Sequence, residues 1–116
     1  MIRQTGASAL RFIEAEGAEH LLLERATRDD ADNVRSEALT ALSFRRLSAT
    51  TVTGLRQSLS REPSEAVRQV IVKVLANEVS RYPDIRSSLE ELNRRDASAP
   101  VRKLAALVLL RLDATE

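Results

Sequence analysis

A dipeptide made of an aliphatic residue followed by arginine recurs four times along the chain at almost constant intervals. Successive copies are 32, 33 and 34 residues apart. An interval of this length is typical of chains built from repeated supersecondary units, because each unit repeats the same packing pattern. The four copies are Ile2-Arg3, Val34-Arg35, Val67-Arg68 and Val101-Arg102.

Apolar residues follow each copy with the period of an α-helix. Counted from the aliphatic residue, offsets of 0, 4, 7 and 8 carry only Ala, Val, Ile or Leu, with Gly6 as the exception. These offsets fall on one side of a helix of about 3.6 residues per turn. Each copy therefore predicts a long helix with one buried face.

A shorter helix is predicted before each of the last three copies, at about 18–28, 50–61 and 83–94. The turn between the two helices carries an acidic residue six positions before the arginine. Ser64 and Ser98 are the predicted N-caps of their long helices. One such hairpin cannot bury its apolar face alone, so neighbouring hairpins are expected to stack.

These patterns predict an all-α fold with seven helices and no sheet. The expected architecture is an α-solenoid, a right-handed superhelix of about three and a half helical hairpins. A leading helix is expected at 2–16, followed by repeats at 18–47, 50–80 and 83–112, within one domain of 116 residues.

The turn acid, the Val-Arg pair and the apolar residues four and eight positions later resemble the HEAT repeat. The likeness is greatest to short bacterial repeats grouped with phycobilisome-lyase-like repeats, and it covers nearly the whole chain. It implies a polar ladder between adjacent repeats and a scaffold or adaptor role in protein binding. The ladder residues would be Asp29, Arg35, Glu62, Arg68, Asp96 and Arg102.

Residues that carry chemistry are scarce. There is no Cys, and the single histidine, His20, is expected on the surface. A zinc or iron site needs several ligands held together, so we expect no metal and no cofactor. No Gly-rich phosphate loop and no nucleophile elbow is present, so we expect a protein that is not an enzyme.

The sequence also predicts a cytoplasmic protein without a membrane segment. Its first residues do not resemble a signal peptide. The longest uncharged apolar run, at 104–110, is far shorter than the roughly 20 residues that a membrane span needs.

Offsets of 2, 6 and 9 lie at about 200°, 240° and 180° around each long helix, opposite its buried face. In the first three long helices these positions are mostly small or polar, which predicts a solvated inner stripe. Residues 34–111 carry a net charge of +6, whereas residues 1–33 carry −3. The alternative to protein binding is therefore a nucleic-acid backbone-binding module that uses Arg11, Lys73 and Lys103.

In the fourth long helix the stripe holds Leu107 and Leu110 in place of polar residues. A helix that is apolar on nearly all sides is expected to be buried. We therefore predict an exposed apolar patch that binds a partner: adjoining repeats of a longer parent chain, a second copy in a homodimer, or another protein. No short helix is predicted before Ile2-Arg3, so the chain is expected either to be part of a longer array or to be capped by its first helix.

Overall fold

Every regular element in the described part of the chain is an α-helix. The computed structural model describes residues 16–115, and within them there are six helices and no strand. The all-helical prediction is confirmed for these residues. The predicted leading helix, 2–16, lies outside them except for Glu16, which belongs to the first described helix. The six helices are α1 (Glu16–Arg28), α2 (Asp32–Leu42), α3 (Ala49–Ser58), α4 (Glu65–Ala76), α5 (Ile85–Arg95) and α6 (Ala99–Thr115).

Serine side chains cap the starts of the later long helices. Ser64 Oγ accepts a hydrogen bond from Val67 N at 3.2 Å, and Ser98 Oγ accepts one from Val101 N at 3.3 Å. Each bond satisfies a backbone donor that the first helical turn leaves without an intrahelical partner. The two predicted caps are therefore confirmed.

The short helices α3 and α5 differ from their predicted bounds. The helix α3 ends at Ser58 instead of residue 61, because its end tightens: Leu59 N donates to Arg56 O, three residues back, at 3.3 Å. The helix α5 begins at Ile85 instead of residue 83. Differences of this size are usual at helix ends, where hydrogen bonding changes within one turn.

Consecutive helices pair into three hairpins, in which α1 packs with α2, α3 with α4, and α5 with α6. The second helices of the hairpins also pack in series, α2 against α4 and α4 against α6, while α1 lies against α3. The hairpins therefore lie side by side in chain order. This order brings the turn of each hairpin close to the turn of the next.

An aliphatic core runs through all three hairpins. The residues at offset four, Ala38, Ile71 and Ala105, are each 0% exposed, as the periodicity predicts. Each fully buried Leu or Ile contributes about 1.5–3 kcal/mol of transfer free energy. The other large side chains in this core include Leu22, Leu39, Leu42, Leu55, Val72, Leu75, Ile85 and Leu89.

A glycine allows the short helices of the first two hairpins to approach closely. Gly54 lies within α3, where glycine costs about 1 kcal/mol relative to alanine. A Cβ atom at this position would lie 3.1 Å from Leu23 Cδ2 of α1. The missing side chain therefore makes room for Leu23 between α1 and α3.

Two adjacent leucines of α1 test the orientation of this helix. Leu22 is 0% exposed and Leu21 is 47% exposed. We expect Leu22→Ala to lower the free energy of unfolding by about 2–5 kcal/mol, because it leaves a cavity in the core. The same substitution at Leu21 should cost less than about 1 kcal/mol, because little buried contact is lost. Urea denaturation of both variants measures the difference, and equal losses would show that α1 is placed wrongly.

Candidate functional site

A buried arginine–glutamate bridge joins the first hairpin to the second. Arg35, near the start of α2, donates from Nε to Glu62 Oε1 and from Nη2 to Glu62 Oε2, both at 2.8 Å. Its remaining nitrogen, Nη1, donates to the backbone carbonyl of Asp29 at 2.8 Å. Glu62 lies in the turn before α4. The guanidinium therefore binds its own turn on one edge and the turn of the next hairpin on the other.

The same arrangement recurs between the second and third hairpins. Arg68 Nε lies 3.0 Å from Asp96 Oδ1, and Nη2 donates to Oδ2 at 3.1 Å. Arg68 Nη1 donates to the carbonyl of Glu62 at 2.9 Å. Arg102 Nη1 likewise donates to the carbonyl of Asp96, at 2.6 Å. Within residues 16–115, however, no carboxylate is bonded to Arg102.

Each acid of this ladder also stabilises its own turn by accepting a backbone hydrogen bond from two residues further along the chain. Asp29 Oδ1 accepts from Ala31 N, Glu62 Oε2 from Ser64 N, and Asp96 Oδ2 from Ser98 N, each at 2.9 Å. The structure thus gives Glu62 and Asp96 two roles, turn formation and bridging. It pairs Arg35 and Arg68 with the acid of the following turn, not with the carboxylate six residues earlier.

The side chains that form the bridges are buried, so the bridges contribute to the stability of the fold. The side chains of Arg35 and Glu62 are 10% and 4% exposed. The hydrogen bonds that Arg35 donates to Glu62 raise the pKa of Arg35, and they outweigh the burial that would lower it. Removing charges from water costs several kcal/mol per ion, so such a pair persists only when its geometry and hydrogen bonding are nearly complete. These side chains are therefore engaged in joining the hairpins.

A second buried acid, Glu19, joins α1 to the start of α3. Its Oε2 accepts hydrogen bonds from Ser48 N at 2.9 Å, from Ser48 Oγ at 2.8 Å and from the Thr51 hydroxyl. Burial raises the pKa of Glu19, but these hydrogen bonds and the positive charge of Arg45 outweigh it, so the pKa lies below its usual value of 4.5. The sequence does not reveal this contact, because Glu19 and Thr51 are 32 positions apart and neither residue stands out locally.

The loop between α2 and α3 is also attached to the loop between α4 and α5. Tyr82 donates from its hydroxyl to the carbonyl of Leu47 at 2.8 Å, and Leu47 N donates to Glu78 Oε2 at 3.4 Å. Glu78 is 5% exposed and also accepts from Arg81 Nη1 at 2.6 Å. The first two hairpins are therefore connected by polar contacts at both of their ends.

The predicted inner stripe lies at or near the surface wherever the structure describes it. Thr40, Lys73 and Lys103 are exposed, and none of the described stripe residues is buried. Arg11, the first predicted contact residue, lies outside the described residues. Ser36, Ser43, Gln69 and Ala76 are half-buried.

The last helix carries the predicted apolar patch. Leu107 is 56% exposed and Leu110 is 65% exposed. They lie one turn apart on the side of α6 away from Val101 and Ala105, which are fully buried. Exposed apolar residues that adjoin one another mark an interaction surface more strongly than scattered ones do.

A cleft of about 680 Å³ lies between α3 and α5, where Arg56 Nε donates to Ser88 Oγ at 2.8 Å. Four arginines and four carboxylates line it, so the cleft favours neither anionic nor cationic ligands. Three salt bridges already join these residues on its walls: Arg68 pairs with Asp96, and both Arg94 and Arg95 pair with Glu91.

The described residues hold no group of three or more His, Asp or Glu side chains that could hold a metal ion. His20 is exposed. None of the described helices is long and apolar enough to cross a membrane.

In comparisons with known proteins, the sequence matches no protein-family model, no curated protein and no solved structure.

The ladder predicts a large difference between two arginines. Arg68→Ala should lower the free energy of unfolding by about 3 kcal/mol or more, because it leaves the buried Asp96 carboxylate without its counter-ion. Arg95→Ala is the control, since the Arg95 side chain is 76% exposed in its pair with Glu91; its effect should stay within about 0.5 kcal/mol. Chemical denaturation measures both, and equal stability of the two variants would reject a structural role for the bridge.

The lowered pKa of Glu19 predicts a pH-dependent contribution to stability. A group whose pKa is lower in the folded state stabilises the fold above its unfolded pKa and loses this contribution as the pH falls. We expect Glu19→Gln to cost about 1–2 kcal/mol near pH 7, because charge-assisted hydrogen bonds become neutral ones. The difference in stability between the variant and the wild type should narrow as the pH falls below 4.5, the usual pKa of a glutamate. Melting curves across pH test this, and a gap that does not change with pH would contradict it.

Proposed function

We propose that this chain is a HEAT-like α-solenoid module, a non-catalytic cytoplasmic scaffold or adaptor that binds other proteins. The family assignment is supported by the regular turn acid and Val-Arg pair in the sequence. It is also supported by the buried bridges that connect consecutive turns, since arrays of this kind are held together by contacts between nearest neighbours.

The observation that carries the binding role is the exposed leucine pair of α6. Leu107 stands where the two preceding long helices place the exposed residues Thr40 and Lys73. Leu110 is 65% exposed, more than any leucine of α2 or α4. Leucines that replace polar side chains on a solvent-facing helix surface are costly for solubility, and burial by a partner offsets that cost.

Binding to a nucleic-acid backbone has weaker support. Arg35 and Arg68 are engaged in the buried bridges, and the described inner stripe itself holds only two exposed cations, Lys73 and Lys103. Phosphate binding depends on several free cations acting together. Three further arginines in the positively charged stretch 34–111 form ion pairs: Arg81 with Glu78, Arg86 with Asp113, and Arg94 with Glu91.

Affinity capture with matched variants tests the proposal. Leu107→Glu places a charge on the α6 patch, and Leu21→Glu places the same charge on another exposed leucine, which lies in α1. We expect proteins retained by the wild type and by Leu21→Glu to be lost with Leu107→Glu, as quantified by mass spectrometry from a lysate of the source cells. Identical sets of retained proteins for all three would exclude the patch as a binding surface.

A second measurement separates the two classes of partner. Binding of a short DNA or RNA duplex to the wild type should be weak. If the duplex binds tightly, and its affinity falls steeply between about 50 and 200 mM salt, the chain is a phosphate-binding module. In that case charge reversal at Lys73 and Lys103 should abolish the binding, whereas Leu107→Glu should leave it unchanged.

A further inference from the structure

The side of α6 that faces away from α4 forms a continuous surface, which we call the end face. With Val101 at 0°, it spans about 80° to 180° around the helix axis. The equivalent side of α2 carries Arg35, which reaches the next hairpin, and that of α4 carries Arg68. The residues of the end face are Arg102, Ala106, Leu109, Leu110 and Asp113.

The following hairpin covers this side in α2 and α4 but not in α6. Leu42 and Leu75, at offset eight, are fully buried, whereas Leu109 at the same offset is half-buried. At offset five, Leu39 of α2 is fully buried, whereas Ala106 of α6 is half-buried. Among the described residues, α6 is therefore the one long helix in which this side is not covered by another helix.

The end face is not a copy of the surfaces that come before it. At offset five α4 carries the large Val72, where α6 carries Ala106. At offset nine α4 carries the small Ala76, where α6 carries Leu110. Large and small positions are thus exchanged in α6. A further hairpin docked in the register of the earlier ones would meet Leu110 where α4 presents only a methyl group.

We infer that a second copy of this chain covers the end face, with the two α6 helices packed antiparallel about a two-fold axis. The axis passes near residue 108, which places Leu110 of each copy over Ala106 of the other. A two-fold interface must be complementary to itself. A large and a small residue separated by one helical turn meet this requirement, because each leucine fills the space above the partner's alanine.

The charges of the end face are self-complementary in the same arrangement. Arg102 lies near the start of α6 and Asp113 near its end, so antiparallel pairing brings each guanidinium to the partner's Asp113. The Asp113 side chain is 61% exposed, and its Oδ1 accepts from Arg86 at 2.9 Å, so this carboxylate is open to a second cation from a partner chain. A cation at this point also lies near the carboxyl end of the partner helix, where the helix dipole favours positive charge. Arg102 thereby gains the carboxylate that Arg35 and Arg68 already have.

A second copy of this chain is the proposed partner of the apolar surface of α6. Only the idea that this surface binds a protein rests on the proposed function. Sedimentation equilibrium over a range of concentrations tests it. We expect the wild type to reach twice the 12.9 kDa of one chain. Leu110→Ala and Ala106→Leu should each raise the dimer dissociation constant by about tenfold or more. The double variant, which exchanges the two residues, should recover dimerisation because a leucine again faces an alanine.

A charge exchange tests the ionic half of the arrangement. Arg102→Glu alone places two acids together at both ends of the interface, and Asp113→Arg alone places two arginines together. Each variant should therefore dimerise poorly. An equimolar mixture should form mixed dimers, because Glu at 102 then faces Arg at 113 at one end and the natural pair forms at the other. Circular dichroism of each single variant checks that the helices remain intact.

Three outcomes would overturn the inference. They are a wild type that remains a single chain at high concentration, dimerisation that survives Leu110→Glu, and failure of the mixed charge variants to associate when both are folded. A monomeric chain that still loses captured proteins on Leu107→Glu would reject the dimer and keep the proposed function. A dimer that captures no other protein would reject the proposed function and keep the dimer.

Discussion

The structure depends on a guanidinium that binds two consecutive turns at once. Arg35 and Arg68 each hold the backbone of their own turn with one nitrogen and the acid of the next turn with the other two. A lysine could not do this, because its single ammonium lacks the planar fork that matches a carboxylate on one edge and a carbonyl on the other. The fork therefore sets the distance between neighbouring hairpins, and the aliphatic core fills the space that this distance leaves.

Local pattern was enough to predict the six described helices, although not the exact ends of α3 and α5. The positions of Val67, Ile71 and Leu75 follow from helical periodicity, which one sequence displays directly. Ser64 and Ser98 were predictable as caps, because a cap depends only on its immediate neighbours. The likeness to a repeat family implied that bridges join adjacent repeats, and the contacts of Arg35 with Glu62 have that form.

Contacts between distant residues were harder to predict. Glu19 meets Ser48 and Thr51 only because α1 packs against α3, and nothing in the residues around Glu19 indicates this. The attachment of Leu47 to Glu78 and Tyr82 has the same origin. In both cases the contacting residues do not occupy repeated positions, so the periodicity of the sequence could not predict that they meet. The exposure of Leu107 and Leu110 was predictable, because it depends on their angle around α6.

The forward reach of each guanidinium has a consequence for a chain that is cut. The loop between α2 and α3 separates Arg35 from Glu62, so a break in this loop leaves the arginine on one fragment and the glutamate on the other. Each fragment then exposes an apolar helix face beside a charged side chain that has lost its bridging partner, and the two side chains have charges of opposite sign. The fragments carry both the attraction and the geometry for reassembly, which makes this loop a natural point for fragment complementation.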